Sequence, residues 1–326
     1  MWLTLAISAY FFLALASFLD KYILGGALPS SKIYTFYTGI LSLLAILIII
    51  FGSFLSLNYF PLLQRFFPEG LGFLFIPELH LILLSLSTGI IFLLALLVYF
   101  KGVHGFEVSR IAPAVGGITP IFILILIYLF TITSLGTDFQ KRILTPREYS
   151  ALAFLILGSI ILTLHREKLT TLKGLRIAII ASFLFSLEFV LTKIIYTRLP
   201  FWTGFIWIRA GEFLGAISLL FFSDVRNRIF RHGKGFGKKI APSFILTKTS
   251  GALGRVLQSA AIYLSPLAFL PIINALNGIQ YVFLIILATV FFFKFPKILK
   301  EEISKKVLVQ KTLAVWLIVA GLFFLI

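Results

Sequence analysis

Ten apolar runs take up most of the chain, at roughly Trp2 to Leu24, Ile33 to Phe54, Leu81 to Phe100, Ser109 to Thr133, Ser150 to Leu164, Leu175 to Tyr196, Phe201 to Phe222, Phe244 to Leu264, Leu267 to Phe293 and Thr312 to Ile326. A hydrocarbon core about 30 Å thick takes about 20 apolar residues per helix. At that rate, 326 residues hold about ten crossings and no sizeable soluble domain. The runs lack the alternation of barrel strands, and an open sheet has no way to satisfy its edges in lipid. The expected fold is therefore all-α and integral to the membrane, with about ten transmembrane helices.

Composition agrees. Hydrophobic residues make up 60% and charged residues 13%, and the mean hydropathy is +1.07, outside the range of soluble domains. A net charge of +17 raises the question of nucleic acid. However, Lys and Arg gather between the apolar runs and form no basic stripe interleaved with stacking aromatics, so they read as orienting loops. The chain has no cysteine, which removes disulfides, thiolate metal sites and thiol nucleophiles. His80, His104, His165 and His232 are scattered without metal-ligand spacing, so neither a metal nor any other cofactor is expected. The opening "MWLTLAISAYFFLALASFLD" has no basic n-region and is too long for a leader's apolar segment, which reads as a retained first helix.

The chain can be laid over itself. "ASFLDKYILGGALPSSKIYTFYTGI" aligns with "SLEFVLTKIIYTRLPFWTGFIWIRAGE", which pairs Lys21 with Lys193. "GGITPIFILILIYLF" aligns with "NGIQYVFLIILATVF", and "FLILGSIIL" with "LIVAGLFFL". The three matches are collinear and point to a duplication, residues 1–168 and 169–326. Each unit holds five runs, and an odd number inverts the second unit relative to the first, the usual frame of a secondary transporter.

With "SLEFVLTKIIY" opening the second unit, small-residue and proline breaks in the fourth and ninth runs, and the closing "KTLAVWLIVAGLFFLI", the chain resembles the EamA-like branch of the drug/metabolite transporter superfamily over nearly its whole length. The resemblance implies two tandem five-helix units and transport of a metabolite, and it names no substrate. The acidic residue that often precedes the last helix of each unit in that family has Glu301 and Glu302 as counterparts in the second half, and Asp138 or Glu148 in the first.

If each run crosses once, Lys32, the Lys101 to Arg110 turn and the loops Arg166 to Arg176, Arg226 to Lys239 and Lys294 to Lys311 share one side. The other side has Arg65, Lys141, Arg142, Arg147 and Arg198. The positive-inside rule makes the first side cytoplasmic and places both termini outside the cytoplasm, in a multi-pass protein of the cell membrane.

Charges inside the runs carry the functional reading. A central Arg, Lys or Asp costs about 2.5–3.5 kcal/mol to insert, against about 0.3–0.6 returned by each Leu, Ile or Phe. Glu188 and Lys193 lie in the sixth run, Arg209 and Glu212 in the seventh, and Arg255 and Gln258 in the eighth after the small residues Ser250, Gly251, Ala252 and Gly254. Asn274, Asn277 and Gln280 recur at three-residue spacing in the ninth run and share a helix face. Pro113, Gly116, Gly117 and Pro120 are helix-break candidates in the fourth run. Lys21 joins the list as the repeat partner of Lys193.

Two readings stay open for these residues. The charges neutralise one another between helices, with Gly211 and Gly215 as a GxxxG seam, or they line an aqueous cavity and hold an anionic part of a substrate. The expected function is a secondary transporter of a small polar or anionic metabolite by alternating access, with protons as a coupling ion to be tested. The expected partners are that substrate and the lipid bilayer, with no nucleic acid. The alternatives are a membrane enzyme acting on a lipid-linked phosphate and a non-transporting scaffold.

Overall fold

The computed structural model describes residues 1–24, 31–44, 76–105, 108–132, 144–163, 172–230, 241–292 and 305–325. Every element among them is helical: α1 (Trp2–Leu24), α2 (Ser31–Leu41), α3 (Leu79–Gly105), α4 (Val108–Ile132), α5 (Pro146–Thr163), α6 (Leu172–Arg198), α7 (Phe201–Ser218), α8 (Ser223–Phe230), α9 (Ala241–Leu264), α10 (Leu270–Ala275), α11 (Asn277–Phe292) and α12 (Lys305–Leu325). Among the described residues, each apolar run overlaps one of these helices or, for the ninth, α10 and α11 together; of the second run, residues 45–54 lie outside the described residues. Among the described residues, six stretches are long and apolar enough to cross a membrane: Trp2–Leu19, Leu79–Val103, Ala114–Thr131, Lys173–Arg198, Phe201–Phe221 and Leu267–Leu284. Thr312–Leu325 is a shorter apolar helix. The protein is a multi-pass helical membrane protein.

The bundle has an apolar surface and polar groups inside, as the bilayer demands. Ile121, Ile125, Tyr128 and Leu129 line an exposed stripe of α4, and Leu313, Trp316 and Phe323 do the same on α12. At helical spacing these are faces for lipid. Glu188, Lys193, Arg209, Glu212 and Gln258 are buried, alongside a core centred on Leu270, Ile272, Ile273 and Leu276.

Where the sequence left run boundaries soft, local chemistry sets them. α9 ends before Pro266, which opens a one-turn 3-10 segment, Leu267–Phe269. α10 and α11 are separated at Leu276, so the row Asn274, Asn277 and Gln280 straddles a junction. The fourth run behaves differently from expectation: α4 passes through Pro113, Gly116, Gly117 and Pro120 without a break. Its carbonyls find partners on α6, since Ser186 donates to the Thr119 oxygen at 2.9 Å and Ser182 to that of Val115 at 3.4 Å. Gly117 admits the Ile160 side chain of α5, which a Cβ would approach to 2.8 Å.

The helix ends sort into two sides. Lys32 at the start of α2 pairs with Asp224 of α8 at 2.9 Å, so the α2 entry and the α7–α8 exit share a side. On the opposite side, Arg147 of α5 donates to the Phe323 carbonyl of α12 at 3.4 Å. Hydrogen bonding from Lys32 holds the Asp224 carboxyl below the usual aspartate range. Its small contribution to stability is present above that range and lost as pH falls through the depressed value. Asp224→Asn should remove this acid-side component of a melting-temperature profile and leave the alkaline side unchanged. Glu148 closes a capping box at the start of α5, accepting from the Thr145 amide at 2.7 Å. Asp138, Glu301 and Glu302 lie outside the described residues.

Candidate functional site

Among the described residues, two ion pairs lie inside the bundle, and they differ in kind. On α7, Arg209 and Glu212 are three residues apart and therefore on one face. Nη1 of Arg209 lies 2.9 Å from Oε2 of Glu212, its hydrogen bond, and 2.8 Å from Oε1, a charge contact without bond geometry. Both side chains are almost fully enclosed, and the guanidinium also sits 4.9 Å from the Phe205 ring centroid. This pair is built within one helix and sealed.

The second pair crosses between helices and is loose. Nη2 of Arg255 on α9 reaches Oε1 of Glu188 on α6 at 3.4 Å, and that oxygen also accepts from Thr192 at 3.3 Å. The Arg255 side chain is 21% exposed, against 4% for Glu188. Nη1 of Arg255 donates to Oε1 of Gln258 at 2.9 Å, and Nε has no partner. Its guanidinium lies over the Phe92 ring of α3 at 3.9 Å, while that of Arg209 stands 5.7 Å from the same ring. One phenyl group thus lies close to both cations, an attraction worth about 2 kcal/mol or more where the cation is desolvated.

The network continues through Gln258. Its amide nitrogen donates to the Tyr10 hydroxyl of α1 at 3.3 Å, and that hydroxyl donates to the Ile273 carbonyl of α10 at 2.7 Å. A polar chain therefore runs Glu188, Arg255, Gln258, Tyr10, Ile273 across α6, α9, α1 and α10. It ends just before the Leu276 junction.

Of the residues singled out in sequence, the structure brings together Glu188, Arg209, Glu212, Arg255 and Gln258. Lys193 does something else. Its ammonium donates to the carbonyls of Ile262 and Tyr263 at 3.0 Å each and of Ser265 at 2.5 Å, the unsatisfied oxygens at the C-terminal end of α9. A cation there complements the helix dipole. Lys193→Met should lower stability by about 1.5–3 kcal/mol, the range for hydrogen bonds to charged groups, read as a lower melting temperature with unchanged flux per folded molecule.

Asn274, Asn277 and Gln280 are half-buried while Ala275, Leu276, Gly278 and Ile279 between them are buried, so the row does share a face. Gln280 donates to the Ser17 hydroxyl at 2.9 Å and the Leu13 carbonyl at 3.4 Å on α1. Asn274 Oδ1 has no partner. The side chains of Lys21 and Pro113 lie outside what the structure describes, although both residues are within helices.

Glycines allow the helices bearing these charges to meet. A Cβ on Gly211 would run into the Leu86 carbonyl oxygen, and one on Gly89 into the Ile208 carbonyl oxygen. The α3 and α7 backbones are in contact there. Gly215 extends the seam, with the Leu93 side chain 3.0 Å from where its Cβ would stand. Similarly, Ser250 donates to the Phe12 carbonyl at 3.0 Å, and Gly254 faces Leu13, bringing α9 against α1.

Sequence reasoning missed Tyr10, Phe92 and Gly89. It also passed over Lys248, two turns before Arg255 on α9. The Lys248 ammonium donates to the Tyr34 hydroxyl at 2.7 Å and lies 4.0 Å from that ring's centroid. The seven-residue spacing of two cations in one apolar run was a usable signal.

No protein-family model and no curated protein matches the chain. A solved structure described only as "Crystal structure of protein" is similar to it with a TM-score of 0.60 and 13% sequence identity, over 98% of this chain and 94% of that one. At that identity the likeness concerns the fold alone: nearly the whole helical arrangement is one that a solved protein also adopts.

Proposed function

We propose that the protein is a secondary transporter of a small polar or anionic metabolite, built from two inverted five-helix units, 1–168 and 169–326, in the manner of the EamA-like transporters it resembles. The observation that carries this reading is the loose Arg255–Glu188 pair inside an apolar bundle. A cation with an unpartnered Nε and a long ion-pair contact is ready to exchange partners. Alternating access needs two states whose balance a ligand shifts, and an ion pair that changes partners on ligand binding gives the ligand such differential contacts.

Helix packing supports the two-unit reading. Numbering the runs one to ten, the first packs on the eighth and ninth (α1 on α9 and α11), and the sixth packs on the third and fourth (α6 on α3 and α4). Adding five to each member exchanges these pairs. The second and seventh, fourth and ninth, and fifth and tenth runs pack on each other, as α2 on α7, α4 on α10 and α5 on α12. Pairs that map onto themselves in this way suit an axis between the units. The α3–α7 contact, where Gly89 meets Gly211, is the main departure.

Purified protein in proteoliposomes, offered a mixture of small polar and anionic metabolites, should accumulate a subset, identified by mass spectrometry of the washed vesicles. Accumulation no greater than in protein-free vesicles, across the mixture and with or without a pH gradient, contradicts the reading.

The basic side is read as cytoplasmic, with both termini outside. The cysteine-free chain allows a direct check with single cysteines at two exposed positions, Glu78 and Asn227. In intact cells, an impermeant maleimide should label Glu78→Cys and leave Asn227→Cys unlabelled. The reverse pattern inverts the orientation.

A further inference from the structure

The uncommitted part of Arg255 has a definite shape. A guanidinium binds a carboxylate most strongly when two parallel N–H groups along one edge meet both oxygens. The Nε–Nη2 edge is such an edge, and Glu188 engages half of it: one oxygen reaches Nη2 at 3.4 Å and Nε has no partner. The remaining faces of the group are taken, Nη1 by Gln258 at 2.9 Å and one flat face by Phe92 at 3.9 Å. Phe92 and Gln258 hold the guanidinium in place while its binding edge stays underused.

Charge sets the class of ligand. Nε of Arg209 also has no partner, but that side chain is enclosed and held by Glu212 at 2.8 and 2.9 Å, so the cation of these two pairs that is open to exchange is Arg255, at 3.4 Å from its carboxylate and partly exposed. A ligand bringing one negative charge can take it by displacing Glu188. A dianion would bring a second charge that nothing in the two pairs balances.

We propose that the Nε–Nη2 edge of Arg255 is the docking point for the carboxylate of a small monocarboxylate substrate, and that Glu188 is the internal carboxylate it displaces. The proposal rests on the transport reading above. When the ligand carboxylate occupies the edge, Glu188 loses its cation in a buried site and takes up one proton from the bulk solution. When the ligand leaves, Glu188 releases that proton and pairs with Arg255 again. One proton therefore accompanies one carboxylate, and charge balances at each step.

The groups facing Glu188 are Arg255 from α9, Arg209 and Glu212 from α7, and Thr192 and Tyr196 from its own helix. Tyr10 on α1 is reached from Arg255 through Gln258, which accepts from Arg255 and donates to the Tyr10 hydroxyl. From α3, the Phe92 and Tyr99 rings pack against Phe185 of α6, and from α4 the Phe122 ring meets Phe183 and the Val115 and Thr119 carbonyls meet Ser182 and Ser186; Tyr99 is the titratable group among these contacts, and it packs on Phe185 and not on Glu188. Glu212 is the other carboxylate in the cluster and serves as the control.

The test is isothermal titration calorimetry on the full chain in nanodiscs, with acetate, lactate and benzoate as probes and inorganic phosphate and glycine as counter-probes, at mildly acidic and mildly alkaline pH. At least one monocarboxylate should bind wild type, about tenfold tighter at the acidic pH. Glu188→Gln, which mimics the protonated acid, should bind at the tighter value at both pH values. Arg255→Lys, a point charge in place of a fork, should lose about tenfold. The double variant Arg209→Met, Glu212→Leu, which removes this carboxylate without leaving a buried charge unpaired, should keep the pH dependence. A Glu188→Gln protein with unchanged pH dependence, an Arg255→Lys protein with wild-type affinity, or binding of phosphate or glycine but of no monocarboxylate overturns the proposal. Flux of other metabolites without carboxylate binding leaves the transport reading standing and removes this site. Carboxylate binding with the expected pattern but no flux supports the site and removes transport.

Discussion

A leucine at position 211 should leave no folded protein to purify. Gly211 lies against the α3 backbone at Leu86, and Gly89 of α3 lies against Ile208 and Glu212 of α7. In lipid there is little hydrophobic drive between helices, so such close backbone approach is a main source of association. A side chain here meets a carbonyl oxygen, and no rotamer can move it away. The two helices would have to separate along a seam that continues through Gly215. Overpacking costs about 1–3 kcal/mol in cores that can adjust, and this seam adjoins the Arg209–Glu212 pair. Gly211→Leu and Gly89→Val should therefore abolish the monodisperse peak in size-exclusion chromatography. Gly251→Ala, where a Cβ would sit 3.6 Å from that of Ala16 in ordinary contact, should be neutral. A Gly211→Leu protein that elutes and melts like wild type would show that α3 and α7 do not touch.

Removing one partner of the sealed pair should be worse than removing both. Glu212→Ala leaves the Arg209 guanidinium enclosed without its carboxylate, and an uncompensated buried charge costs about 3–5 kcal/mol. The double replacement Arg209→Met with Glu212→Leu keeps the volume and removes both desolvation penalties. Exchanges of that kind are neutral or stabilising by about 1–4 kcal/mol, less what the desolvated Arg209 gains from the Phe205 ring, about 2 kcal/mol. Thermal melts of the two variants should place the double mutant near wild type and the single mutant far below. If the double mutant keeps its fold and also its flux, the sealed pair is structural and substrate handling rests on Arg255 and Glu188. Equal destabilisation of both variants would show that the pair contributes more than mutual neutralisation.

Helices were legible in the sequence because each run is long, apolar and bounded by charge, and insertion energetics leave few alternatives. The charges of α6, α7 and α9 were legible for the same reason inverted: a group costing several kcal/mol in lipid must have an inward partner. Which partner it has was not legible. Glu188 meets Arg255 and not Arg209 because α6 and α9 approach through long-range packing, which neither segment encodes alone. Lys193 looked like a site residue by depth and repeat position. Its carbonyl partners come 69 to 72 residues later, at a helix end that periodicity does not locate in space. Phe92 is one of 37 phenylalanines, and only its place beside two guanidinium groups distinguishes it. The four breakers of the fourth run did not interrupt the helix: α4 is continuous over Val108–Ile132, as proline-bearing helices in bundles can be when neighbouring helices support them.

Substrate handling by a central Arg255 is tested most directly by comparing flux through wild type and Arg255→Gln, reconstituted at equal amounts into proteoliposomes and shown by melting to be folded alike. Wild type should give saturable uptake of the accumulated metabolite, and Arg255→Gln should give at least about tenfold less, the effect of losing about 1.4 kcal/mol of ligand interaction. Equal flux through the two proteins would contradict a central role for Arg255 and leave its contact with Glu188 a matter of packing.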